Sequence, residues 1–143
     1  VPKKCDFLGT ELMYPDNWEL TGPVDDGDSE GYVVESPTGM FFSLNRYAGR
    51  SDHENILKQA CQAMDAEYDE VESEVYKSEG AFPEEVGVEL QFYCNSLVIT
   101  SLMLAMQYQD DVLLVQMQAE NRDFDQNELV FAAMLKTVRD GLA

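Results

Sequence analysis

The stretch Leu97-Val98-Ile99-Thr100-Ser101-Leu102-Met103-Leu104-Ala105-Met106 decides the fold. It is apolar on both of its alternating faces. A strand of that kind must lie inside a sheet with a layer packed on each side, because a solvated face would alternate with polar residues. Asp110-Asp111 follows as a turn, and Val112 to Ala119 reads as the returning partner strand. Upstream, Val88, Leu90, Phe92 and Cys94 alternate with Glu89, Gln91, Tyr93 and Asn95, the period of a half-buried strand. Val71 to Ser78 is a weaker strand and Ala81 to Val86 a loop. Nearer the N-terminus, Tyr32 to Ser36 and the alternating run Met40 to Asn45 flank Pro37-Thr38-Gly39, a hairpin signature.

Two amphipathic helices can supply the covering layers. The first is expected over Ser51 to Tyr68. Ser51-Asp52-His53-Glu54 has the form of a capping box, and Leu57, Ala60, Cys61, Met64 and Tyr68 recur at helical spacing. The second is expected over Asp125 to Asp140, with Phe124 and Leu129 placed as a hydrophobic staple. Phe131, Met134, Leu135, Val138 and Leu142 continue its stripe. Short connections between successive strands make them antiparallel. The expected architecture is therefore α+β: a three-layer α/β/α domain around a mostly antiparallel sheet, with residues 1–143 forming a single domain.

Composition narrows the function classes. Nine Lys and Arg stand against 28 Asp and Glu, a formal net charge of −19 over 143 residues. Binding to nucleic acid or to an anionic membrane surface needs clustered cations, and Lys3-Lys4 is the only adjacent basic pair. No segment has the length and apolarity of a membrane span. Cys5, Cys61 and Cys94 are an odd set without CxxC spacing, which argues against a disulfide framework and a zinc site. Cys61 and Cys94 fall on apolar faces and are expected to be buried thiols, with Cys5 near a mobile terminus. These features slightly favour a soluble cytoplasmic protein. The start at Val1-Pro2 without Met leaves open a removed upstream signal or anchor.

The segment Phe7-Leu8-Gly9-Thr10-Glu11-Leu12-Met13-Tyr14-Pro15-Asp16-Asn17-Trp18-Glu19 is a short strand running into a Tyr-Pro-x-x-Trp turn, and a Ser-Pro-x-Gly hairpin follows. Together with the element order through Ala143, it resembles the PsbP-like superfamily. That superfamily spans extrinsic photosystem II subunits, Ran-binding Mog-type factors and DcrB-type bacterial lipoproteins. The resemblance implies a non-enzymatic binding domain on an α/β/α scaffold, and its members bind unrelated things, so no ligand follows from it. Tyr14, Pro15 and Trp18 carry over as structural positions, with Trp18 expected to plug the core.

Two acidic features stand out as candidate sites. Asp26-Gly27-Asp28-Ser29-Glu30-Gly31 places acids at the first, third and fifth positions and Gly at the sixth, like the start of an EF-hand loop. Pro37 then occupies the twelfth position, where the bidentate Glu belongs. Asp26, Asp28 and Glu30 are weak metal candidates, and a solvated loop is the favoured reading. The run Asp65 to Glu74 holds six acids in ten residues, at a helix end whose dipole favours cations. Its members Asp69, Glu70, Glu72 and Glu74 are the candidate partner-binding residues. His53 is the only histidine, without identifiable companions, and is expected at the surface. No phosphate loop, nucleophile elbow or HExxH pair is present. The leading expectation is a non-catalytic domain, without cofactor, meeting a basic protein through an acidic face. A small-ligand or divalent-cation binding domain comes second and an enzyme third.

Overall fold

The computed structural model describes residues 1–7, 10–77 and 84–142. Strands β1 (Lys3–Phe7) and β2 (Thr10–Tyr14) form a small antiparallel ribbon. The main sheet contains β3 (Glu19–Asp25), β4 (Glu30–Glu35), β5 (Phe41–Tyr47), β6 (Glu72–Tyr76), β7 (Val86–Cys94), β8 (Leu97–Tyr108) and β9 (Asp111–Glu120). Their order is β3-β4-β5-β9-β8-β7-β6, antiparallel throughout. Helix α1 (His53–Glu67) joins β5 to β6, and α2 (Asn121–Gln126) and α3 (Glu128–Leu142) follow β9. The expected loop Ala81 to Val86 falls partly outside the described residues, and Val86 belongs to β7.

The decisive stretch is an interior strand, as its apolarity requires. Leu102, Leu104 and Met106 point into a core shared with α3, α2 and the β1–β2 ribbon, while Met103 and Ala105 point into a second core under α1. Met103, Leu104, Ala105 and Met106 are each at most 1% exposed, so both covering layers are real. Trp18 is the core plug expected of it: buried, with its ring edge-on to Phe131 at 6.0 Å. The β7–β8 hairpin turns at Asn95-Ser96, both at positive φ, the geometry of the tight primed turns that match strand twist. The β8–β9 turn sits at Gln109-Asp110, one residue before the expected pair. Asp111 is held in the ladder, where its carboxylate accepts from the Gly49 amide at 3.0 Å and lies 3.7 Å from Arg46.

The helix starts differ from expectation for identifiable reasons. Asp52, not Ser51, is the N-cap of α1, and it makes no side-chain capping bond. Its carboxylate instead accepts two hydrogen bonds from the Arg50 guanidinium, at 3.0 and 2.8 Å. The second helical region begins earlier, at Asn121, where the Glu120 carboxylate accepts from the Arg122 and Asp123 amides. It breaks at Asn127 and resumes as α3. Phe124 consequently packs against Phe131, with ring centroids 5.1 Å apart, and Leu129 stands 85% exposed, so no staple forms.

The cysteines are free but distributed contrary to expectation. Cys5 is the buried one, opposite Leu12 in the ribbon that α3 covers. Cys61 and Cys94 are only half-buried, on flanks that the helix and sheet leave partly open. Burial, and then the Asp6 carboxylate, push the Cys5 thiol pKa up.

Candidate functional site

Register splits the acidic run. Asp65 and Glu67 occupy the exposed end of α1, and Asp69 and Glu70 form the link to β6, with Glu70 at φ 54. Glu72 and Glu74 lie on β6, an edge strand whose five residues are all exposed. Glu72 pairs with Gln91, and Glu74 with Glu89. Glu89 in turn sits opposite Leu102, which faces the α3 core. Alternation therefore puts Glu72, Glu74 and Glu89 on the α3 face of the sheet. Of the four candidate partner residues, only Glu72 and Glu74 share a strand face. Asp69 and Glu70 lie before it.

Three acids from other elements join them. Burial, and then the charges of Glu74, Glu128 and Asp125, raise the Glu89 carboxyl above its usual range. Every one of these effects disfavours the charged form. Glu89 was hidden in the sequence as one polar residue in an alternating strand. Asp125 and Glu128 read there only as a helix start. Only the placement of α2 and α3 on this face of the sheet, across a cleft from Tyr76 and Glu89, brings them near one another.

Beneath this acidic rim is a cleft of about 300 Å³ between the sheet and α3. Leu102, Met117, Phe131 and Leu135 give it an apolar floor, and Tyr76, Glu89 and Glu128 stand along its sides. Arg139 closes one end, hydrogen-bonded through Nε and Nη2 to Glu85, whose side chain is 1% exposed. A second depression of about 540 Å³ lies between β2 and α3 and is lined by Met13, Tyr14, Pro15, Leu129, Ala133 and Met134. It is almost wholly apolar.

The Asp26 loop is the β3–β4 connection. One Asp26 oxygen accepts from the Asp28 and Ser29 amides at 2.9 and 2.8 Å, and Asp25 accepts from the Gly27 amide at 2.9 Å. Those amide bonds hold the Asp26 carboxyl below the usual range. Its chemistry is that of an Asx-type turn, in which the carboxylate replaces backbone acceptors. Glu30 belongs to the ladder, paired with Asp25 on one side and Arg46 on the other. His53 is half-buried, and its Nε2 lies 2.6 Å from the Glu84 carbonyl, tying α1 to the approach to β7.

The architecture defines a PsbP-like fold. Cyanobacterial PsbP (CyanoP) from Synechocystis sp. PCC 6803 superposes with a TM-score of 0.68 at 12% identity, covering 95% of this chain and 90% of that one. PA94 from Pseudomonas aeruginosa, a protein of unknown function, superposes with a TM-score of 0.50 at 15% identity over 95% and 94% of the two chains. LpqN of Mycobacterium tuberculosis, involved in cell envelope biogenesis, gives 0.48 at 15% identity over 98% and 87%. No family model and no curated protein sequence matches the chain. The likeness extends to the whole fold, as the Tyr14-Pro15-x-x-Trp18 segment and the element order implied. Among the described residues, no helix is long and apolar enough to cross a membrane.

Proposed function

We propose that this chain is a non-catalytic interaction domain that meets a basic protein partner through the acidic wing built by β6, β7 and the start of α3. The observation that carries the reading is Glu89. Its carboxylate lies opposite Glu74 in the ladder and lines one cleft with Glu128. Like charges directly opposite in a sheet cost stability, so this arrangement opposes folding and a cationic partner relieves it. Asp69 and Glu70 extend the same potential along the approach to β6. No cofactor enters the reading.

The test is to replace Asp69, Glu70, Glu72 and Glu74 by Asn and Gln and to compare salt-dependent capture of partners from native lysate. A control variant neutralises four acids elsewhere, Asp16, Glu19, Glu35 and Asp110. The expected result is loss of a salt-sensitive partner from the wing variant alone, with stability unchanged or raised. Unchanged capture, or equal loss in both variants, refutes the reading, because general charge then accounts for the binding.

A further inference from the structure

The acidic rim and the apolar cleft beneath it face one occupant with two-part chemistry. The cleft, at about 300 Å³, is at the small end of ligand pockets, which span roughly 300–1,000 Å³. It suits one long side chain rather than a cofactor. Its floor offers no polar side chain between Leu102, Met117 and Leu135. Its rim carries two carboxylates, Glu89 and Glu128, while the cation at its end, Arg139, already pairs with Glu85. Tyr76, 39% exposed, adds an aromatic face beside them.

We infer that this cleft seats an arginine side chain of the basic partner, its aliphatic stem on Leu102 and Met117 and its guanidinium between Glu89, Glu128 and Tyr76. The inference rests on the acidic-wing reading and adds an anchor to it. Charge complementarity selects a cation, and the apolar floor selects one on a long stem. The aromatic rim favours guanidinium over ammonium, because guanidinium is weakly hydrated, planar and able to stack. Edge protection alone does not explain the acids. Glu72 and Glu74 blunt the β6 edge in the usual way, whereas Glu89 is on the next strand in and gains nothing by guarding that edge. The exposed Leu129 at the cleft mouth gives a neighbouring apolar residue of the partner a contact.

The probe is hexylguanidinium, titrated into the isotope-labelled full chain and followed by amide shifts, with hexanol, hexylammonium and guanidinium as comparisons. The expected result is saturable shifts centred on Tyr76, Glu89, Leu102 and Ala132, with hexylguanidinium binding most tightly. Glu89→Gln should weaken it about tenfold, the scale of one charge-assisted hydrogen bond. The double variant Glu72→Gln/Glu74→Gln should weaken it less than about twofold, the scale of exposed, screened charges. Absence of saturable shifts overturns the inference. So does equal binding of hexanol, or equal weakening by the two sets of variants. Should the probe fail while the wing variant still loses its salt-sensitive partner, the arginine anchor falls and the acidic surface stands. Should the probe bind while capture is unaffected, the cleft stands and the surface reading falls.

Discussion

Replacing Glu89 by Gln removes a carboxylate that the fold holds at a cost, so it should stabilise the domain at neutral pH. Two effects contribute. Glu89 is half-buried, and it faces Glu74 across the ladder, with Glu128 and Asp125 beyond. Like charges directly opposite in a sheet are destabilising, and solvent screening at this partly exposed site holds the expected gain to at most about 1 kcal/mol. For a domain of this size that is a rise in Tm of roughly 3 °C. The sign of the pH dependence follows from linkage. The folded carboxyl has the higher pKa, so as pH rises the unfolded chain releases this proton first and folding is progressively disfavoured. The penalty is complete above the folded pKa and absent below the ordinary Glu range, about pH 4. The gain from Gln should therefore be full at neutral pH and vanish in acid. Added salt should reduce its repulsive part and leave its desolvation part. Urea unfolding of both proteins across this range measures the difference directly. A neutral or destabilising effect at neutral pH, or a gain that persists in acid, refutes the claim that the fold holds the Glu89 carboxylate at a cost.

Trp18→Ala should cost about 3–5 kcal/mol, because the ring is buried against Phe131 at the junction of ribbon, helix and sheet. Denaturant unfolding reads this, and a cost below about 1 kcal/mol shows that the ribbon does not close the core. Arg139→Ala should cost about 3–5 kcal/mol, since it strands the buried Glu85 carboxylate. Glu85→Gln with Arg139→Met should recover part of that loss in a double-mutant cycle, and strictly additive losses exclude the coupling. In native protein, an aromatic disulfide reagent should modify Cys61 and Cys94 ahead of Cys5, as their exposure dictates. Mass mapping that finds Cys5 modified first contradicts the packed ribbon.

What the sequence reveals and what it hides divide along physical lines. The stretch Leu97 to Met106 was legible because burial on both faces leaves a one-dimensional mark. The β4–β5 and β8–β9 hairpins were legible because their turns are local. The pairing of β5 with β9 was not, since it joins segments on either side of α1, β6, β7 and β8, and nothing local records it. Helix starts depart from their local sequence signals where a nearby side chain outcompetes the cap. Arg50 holds the Asp52 carboxylate, and Glu120 starts a short helix ahead of the expected one. The candidate site was half legible. Glu72 and Glu74 stand in a conspicuous run, but Glu89, Asp125 and Glu128 become their neighbours only through register and helix placement.

The distribution of acid over the two edges of the sheet separates protection from recognition. At one edge β3 is exposed along its whole length and carries Glu19, Asp25 and Pro23, and at the other β6 carries Glu72 and Glu74. Charges and Pro on edge strands discourage pairing with other chains, and that accounts for both edges equally. The edges differ in what lies one strand inward. Beside β3, β4 also carries acids, Glu35 opposite Glu19 and Glu30 opposite Asp25, but Glu30 has Arg46 opposite it on β5. Beside β6, β7 places Glu89 on the same face as the core, half-buried above an apolar cleft. Glu89 has Leu102 opposite it on β8, so the next strand brings it an apolar side chain where Glu30 meets a cation. The position is costly for folding and suited to a cation arriving from outside, and that asymmetry distinguishes the β6 wing from ordinary acidic surface.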